Sequence, residues 1–380
     1  MAKSISKKQP ARPKPAVEQP PQRSKIKTIL LLARRVGIVI CIALVVWLSI
    51  LYGVARWYQE WNRGKVISMG VSYSFPLARE YGYDPREGYE ALLKDMGVKR
   101  IRVMSYWDES EPQKGTYVFD DLDYQFRLAE QYGAKLSLAV GLRQPRWPEC
   151  HWPEWAQKEP IEQWSQDLKA YMKVVVERYK DSPSLIEYQL ENEFFLEVFG
   201  ICPDFTRERL IDEYKYLKQL DSTKPVVVSR SNNGLGIAVG QPRPDYSAIS
   251  VYKRVWDKTV TKDYFEYPFP AWHYGYLAGF TKILTGRDMI IHELQAEPWG
   301  PEETRKLSFE EQNKSMDAVR LKARIQYGLA SGMRTTDLWG AEWWYWRKVY
   351  WKDPTVWDTA KDAFARCDGK TRWLEHCMKD

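Results

Sequence analysis

The sequence predicts an α/β fold, a (β/α)8 TIM barrel, preceded by a disordered basic tail and one transmembrane helix. Three observations lead there: an uncharged run of twenty residues near the amino terminus, eight β-type runs alternating with helical ones after it, and polar side chains where those runs stop. With 380 residues, 44% of them hydrophobic, the chain can bury a large core.

Residues 1–35 carry ten cations (Lys3, Lys7, Lys8, Arg12, Lys14, Arg23, Lys25, Lys27, Arg34, Arg35) against one anion, Glu18, a net +9. The whole chain is +7, so the rest is −2. A near-neutral body offers no electrostatic footprint for nucleic acid. The stretch QPARPKPAVEQPPQRSK is rich in Pro, Gln and Lys and reads as unfolded.

Val36 to Ala55 then run uncharged for about the length that crosses a bilayer as a helix. Basic residues in front, and Trp47, Tyr52, Trp57 and Tyr58 near the far end, fit a cytoplasmic amino terminus and an interfacial aromatic belt. The expected organisation is a tail over 1–35, a single-pass anchor over 36–55, a juxtamembrane linker over 56–64 and an extracytoplasmic domain over 65–380. A cleaved signal peptide is the alternative, since Gly53 and Ala55 suit a cleavage site, although the apolar run exceeds the usual h-region.

Cys41 lies in the span, leaving Cys150, Cys202, Cys367 and Cys377 for the body. An even number in an oxidising compartment suggests two disulfides. Cys367 with Cys377 is the local option, and Cys150 with Cys202 would join two loops leaving the same end of the barrel. Buried free thiols are the alternative. Zinc is disfavoured, because there is no CxxC pair and only four scattered histidines.

The β-type runs are Val66 to Tyr73, Lys99 to Tyr106, Lys135 to Leu142, Leu185 to Leu190, Pro225 to Ser229, Tyr246 to Tyr252, Met289 to Leu294 and Thr335 to Trp339. Helical signals separate them: Asp84-Pro85 before REGYEALLKDM with Gly97 after it, Gly133 after DLDYQFRLAEQY, and Ser308 with Glu311 as a capping box. A doubly wound open sheet is the alternative, disfavoured because no Gly-rich phosphate loop follows the first strand.

Barrel enzymes build their sites at the carboxyl ends of the strands. Glu193, in YQLENEF, is expected to close the fourth strand, and Glu293 closes the seventh in DMIIHELQAEPWG. Two carboxylates facing one gap can divide the breaking of an acetal: one protonates the leaving oxygen while the other attacks the anomeric carbon. The first must hold its proton near neutral pH and the second must not.

These residues resemble clan A glycoside hydrolases, retaining (β/α)8-barrel glycosidases with an Asn-Glu pair ending strand four and a Glu ending strand seven. The segment WDESEPQKGTYVFDDLD resembles the W…EP…G…F…LD stretch after strand two of families 42, 35 and 5, and YQLENE is similar to the corresponding strand of the β-galactosidase families. The resemblance implies a glycosidase acting by double displacement, with Glu193 as acid/base, Glu293 as nucleophile and no metal or organic cofactor. It implies that Asn192 donates to the sugar 2-hydroxyl, that Arg102 and Tyr252 donate to Glu293, and that Trp339 lies under the sugar. Trp107, Trp299 and His273 are further candidates for carbohydrate contact. Phe194 departs from the Pro that follows the acid/base in many members, which leaves the sugar open.

Other readings stand beside these. Glu191 shares the parity of Glu193 and is expected to pair with an arginine such as Arg102. Glu297 is an alternative nucleophile, and His292 either touches substrate or satisfies a core hydrogen bond. The whole reads as a membrane-anchored retaining β-glycoside hydrolase. A non-catalytic carbohydrate-binding barrel at the cell surface and a transglycosylase using the same intermediate are the alternatives. Oligomeric state, linkage and endo or exo action are not legible.

Overall fold

The computed structural model describes residues 22–197, 200–231 and 240–371. The chain divides into two compact units between Ile50 and Leu51. The first contributes most of a 40-residue helix, Gln22–Trp61, whose apolar side chains from Ile29 to Ile50 are exposed. From Lys27 to Trp61 this helix is long and apolar enough to cross a membrane. It starts inside the stretch expected to be unfolded, because the Pro-rich composition ends at Pro21 and a run free of Gly and Pro follows it up to Gly37. The rest of the predicted tail, residues 1–21, lies outside the described residues.

The second unit is a closed barrel. Its strands are β1 (Ser68–Ser72), β2 (Arg100–Met104), β3 (Lys135–Val140), β4 (Leu185–Leu190), β5 (Val226–Arg230), β6 (Tyr246–Val251), β9 (Met289–Gln295) and β10 (Thr335–Trp339). All eight expected runs are present, paired parallel around the circle in the order β1-β10-β9-β6-β5-β4-β3-β2. An antiparallel hairpin, β7 (Arg254–Trp256) with β8 (Tyr264–Glu266), is inserted after the sixth barrel strand and was not foreseen.

Alternation decides what each strand faces. Ile101, Val103, Leu136, Leu138, Tyr188 and Leu190 are fully buried in the main core with Leu92, Leu168, Met172 and Val175 of the surrounding helices. Each such burial contributes roughly 1.5–3 kcal/mol. The intervening positions point inward and are polar. Arg100 bonds Asp337 at 2.8 Å and Glu187 at 2.5 Å across the barrel floor. Gly70 on β1 makes room for this pairing, since a Cβ there would lie 2.2 Å from Asp337 Oδ1. Buried charges of this kind are tolerated only because each finds its partner.

The helices begin and end where their local chemistry allows. Asp84 caps Pro85–Lys94 by accepting from Arg86 N at 2.9 Å, and Gly133 closes Asp120–Tyr132 at φ 64°. Ser308 caps Phe309–Ser315, as its spacing to Glu311 predicts, and a second helix, Ala318–Leu329, starts from its own cap at Asp317.

The segment expected as a linker remains helical to Trp61, and its Tyr58 is buried in the second unit, together with Ala55 at the end of the expected anchor and Asn62 after the helix ends. That spacing lays one stripe on the barrel. Tyr58 therefore packs in the protein core rather than in an interfacial belt.

Cys150 and Cys202 form a disulfide joining the loops after β3 and β4. Cys367 is disulfide-bonded too. The pairing expected for it falls on Cys377, outside the described residues. Cys41 is a free, exposed thiol.

Candidate active site

Glu293 faces the barrel interior because β9 carries one extra residue. Its register against β6 steps from Ile249↔Ile291 to Ser250↔Glu293, and the neighbouring β10 registers the same shift. His292 is the inserted residue of this bulge. Strict alternation from outward-facing Ile291 would turn Glu293 away from the interior, and the bulge re-aims it.

Both oxygens of Glu293 accept hydrogen bonds. Arg102 Nη2 donates to Oε1 at 2.9 Å and the Tyr252 hydroxyl donates to Oε2 at 2.8 Å. Arg102 is itself fixed by Ser72 Oγ at 2.8 Å and by Gln189 Oε1 at 3.0 Å. Burial, followed by the charges of Glu293 and Glu193, holds the Tyr252 hydroxyl well above the ordinary tyrosine range, so it stays a neutral donor.

Glu193 is held differently. Strand β4 ends at Leu190, and both Glu191 and Glu193 adopt positive φ, 55° and 43°, in the turn beyond it. The Glu193 backbone N–H donates to Ser229 Oγ at 2.9 Å, while its carboxyl Oε1 has no hydrogen-bond partner among the described residues. The Ser250 hydroxyl lies beside this carboxyl without reaching hydrogen-bond geometry. Burial, then the charge on Glu293 and, less strongly, that on Glu149, pushes Glu193 up to about 8. At neutral pH Glu193 is protonated.

Asn192 Oδ1 accepts from Gln189 Nε2 at 2.9 Å and from Ser229 Oγ at 3.2 Å, which turns its Nδ2 toward Glu149 Oε2 at 3.2 Å. Glu149 escaped the sequence reading. It lies at φ 73° in the loop after β3, beside the Cys150–Cys202 disulfide, and burial pushes it up to about 7. Its only signal in the sequence was an acidic residue next to a cysteine. Ser229 and Ser250, polar residues near the ends of β5 and β6, could have been found by the rule that found the two glutamates.

The neighbouring acids have structural partners. Glu191 does not meet Arg102: the strand has already ended, and its carboxylate accepts from the backbone N–H groups of Leu142 at 2.7 Å and Arg143 at 3.0 Å and from Arg209 at 3.1 Å. Glu297 pairs with Arg146 at 2.6 Å, and Arg146 also binds Glu342 at 2.8 Å. The Arg146 guanidinium lies 3.8 Å from the centroid of the Trp339 ring and covers one of its faces. His292 bonds the floor groups Asp337 and Ser137 and is fully buried; burial, then the charges of Arg102 and Arg100, holds it far below the usual histidine range. It is a neutral core group.

Trp299 reaches this neighbourhood, packing on Tyr252 with ring centroids 4.7 Å apart. Trp107 does not: it is fully buried, donates to Glu111 at 2.7 Å and packs on Trp155 and Tyr171. His273 sits on the helix Ala271–Thr285, stacked on Phe269 at 4.6 Å, and its ring contacts are with Phe269, Tyr274 and Tyr276. Neither Trp107 nor His273 is brought to the carboxylates by the contacts it makes.

Known proteins resemble parts of this chain. The family profile Glyco_hydro_42, described as β-galactosidase, matches residues 86–223, a segment that contains Asn192 and Glu193 and stops before Glu293. A β-galactosidase of Halorubrum lacusprofundi is 25% identical over 163 residues, covering 36% of this chain and 23% of that protein. A probable mannan endo-1,4-β-mannosidase of Aspergillus terreus is 25% identical over 181 residues, covering 39% and 44%. The chain thus spans less than half the length of either curated relative. A family 5 (GH5_18) structure from Streptomyces cattleya superposes with a TM-score of 0.53 at 12% identity, over 73% of this chain and 71% of that one, a likeness of fold. By its closed parallel barrel and its family 42 segment, the chain resembles the clan A glycoside hydrolases.

Proposed function

We propose that the chain is a membrane-anchored retaining β-glycoside hydrolase acting on β-linked oligo- or polysaccharides. The observation that carries this reading is the inequality of two carboxyl groups in one neighbourhood: Glu293 has both oxygens bonded to donors, and Glu193 has an unpartnered oxygen and a proton it keeps to about pH 8. Glu193 gives its proton to the glycosidic oxygen as the bond from C1 to that oxygen breaks, while Glu293 attacks C1 and forms a glycosyl ester. Glu193, now a carboxylate, takes a proton from water, and the resulting attack on C1 frees Glu293. Arg102 and Tyr252 position Glu293 throughout, and Asn192 offers its amide N–H to the sugar.

The sugar is a β-galactoside or a β-mannoside, the two activities named among the relatives. The anchor is retained. Cleavage at Gly53 or Ala55 would remove all or part of Leu51 to Ala55, of which Leu51 and Ala55 are buried in the barrel unit. The test is a panel of activated aryl β-glycosides differing only in the sugar, followed by trapping with the matching 2-deoxy-2-fluoro glycoside. The expected result is turnover lost in Glu293→Gln and a covalent label on the peptide containing Glu293. Full activity in that variant, or a label on Glu297 instead, overturns the assignment.

A further inference from the structure

The helix Ala271–Thr285 is apolar on two faces. One is buried: Tyr274, Gly275, Ala278, Gly279 and Thr281 turn inward, and the two glycines admit the segment Leu51–Trp61 at close range. A Cβ on Gly279 would lie 3.0 Å from both Val54 Cγ1 and Tyr58 Cβ, and one on Gly275 3.7 Å from Ala55 Cβ. Small residues four apart let two helices approach this way.

The other face is the unusual one. Trp272, Tyr276 and Phe280 follow each other at helical spacing, all partly exposed, and Ile283 and Leu284 end the stripe 55% and 54% exposed. Tyr52 extends it from the neighbouring helix, meeting the Trp272 ring edge-on at 5.8 Å, and Tyr276 meets Phe280 at 5.7 Å. Single exposed apolar residues need no explanation, but a contiguous aromatic and aliphatic stripe marks a contact surface.

We propose that this stripe lies in the interface of a lipid bilayer, so that the barrel touches the membrane through its own helix as well as through its anchor. The inference rests on the reading that Lys27–Trp61 crosses a membrane. Two things on the molecule favour lipid over a protein partner. Leu51 and Tyr52 directly follow the exposed apolar segment in the chain, so a bilayer holding that segment begins within a peptide bond or two of the stripe. Tyr52, Trp272 and Tyr276 are also residue types that settle at the headgroup level of a bilayer.

The full-length protein supplies its own internal control, because Cys41 is the free thiol of the span. Cys41 in the native protein, and Ile283→Cys or Val260→Cys in a Cys41→Ser background, are labelled with an environment-sensitive fluorophore. Val260 is 85% exposed in the segment joining β7 and β8. The labelled proteins are placed in phosphatidylcholine vesicles with or without doxyl-labelled lipid. A label at position 283 is expected to brighten about two-fold on incorporation and to be quenched most by doxyl groups near the headgroups. The label at position 260 stays unchanged.

A quenched Cys41 label with an unquenched label at 283 overturns the interfacial face and leaves the anchor standing. A label at 283 that brightens without doxyl quenching means that protein covers the stripe, and also overturns it. An unquenched Cys41 label removes the anchor and the face together.

Discussion

Replacing Glu193 with Gln is expected to stabilise the protein at alkaline pH and not at acid pH. The folded chain raises this carboxyl from its ordinary 4.5 to about 8, through burial and then the Glu293 charge. At about 1.4 kcal/mol per pH unit, ionising it in place costs about 5 kcal/mol. Because the folded state binds this proton more tightly than the unfolded chain, its stabilising contribution is complete below about pH 4.5. It is lost as the pH rises to about 8 and is constant beyond. Gln mimics the protonated acid, so the variant should match the native protein near pH 4.5 and exceed it by up to about 5 kcal/mol at pH 9. Glu149 also titrates, near 7, but it is present in both proteins and its effect largely cancels in the comparison. Thermal unfolding in detergent micelles, followed by near-ultraviolet circular dichroism between pH 4.5 and 9, reads the difference. A gap in melting temperature that stays flat across this range would mean that Glu193 ionises like a surface carboxyl, and the acid/base assignment would lose its basis.

Tyr252→Phe removes a hydrogen bond to a carboxylate and should lower kcat/KM about 10- to 100-fold, in keeping with ~1.5–3 kcal/mol for such bonds; unchanged kinetics would exclude Tyr252 as a support of the nucleophile. Glu149→Gln deletes a negative charge that raises Glu193, so the alkaline limb of the kcat/KM profile, expected near pH 8, should move to lower pH, and a stationary limb contradicts the coupling. Arg102→Met strands Glu293 and Gln189 in the barrel and should cost about 3–5 kcal/mol in chemical denaturation. A cost under about 1 kcal/mol would show that the carboxylate is compensated elsewhere. Gly279→Leu collides with Val54 and Tyr58 and should weaken the docking of Leu51–Trp61 by about 1–3 kcal/mol, seen as faster tryptic cleavage at Arg56 and Arg63; an unchanged rate means that the helices can separate without strain.

Local patterns carried the barrel. Runs such as KRIRVMSY and KLSLAVGL alternate so regularly that Ile101, Val103, Leu136 and Leu138 could face only the helices. The ends of the fourth and seventh runs then marked Glu193 and Glu293 as exceptions. What stayed hidden depends on partners distant in sequence. Arg209, not Arg102, meets Glu191, because β4 stops at Leu190 and the turn at positive φ swings Glu191 toward the loop after β3. Trp107 had the letters of a sugar contact, but its one-turn helix, Trp107–Ser110, directs the ring between Trp155 and Tyr171. The stretch 56–64 looks like a linker until Gly275 and Gly279, more than two hundred residues later, provide the groove that receives it.

The additional residue in β9 puts two consecutive side chains, His292 and Glu293, on the inner face of the barrel. Any substitution at position 292 keeps the insertion and changes only what sits on the barrel floor. Deleting that position leaves Glu293 opposite Ser250 in an uninterrupted pleat, but takes away the imidazole lodged between Arg102 and the Asp337 layer. Both changes therefore leave the carboxylate opposite Ser250 and both remove the imidazole, so the difference between them reports the bulge itself.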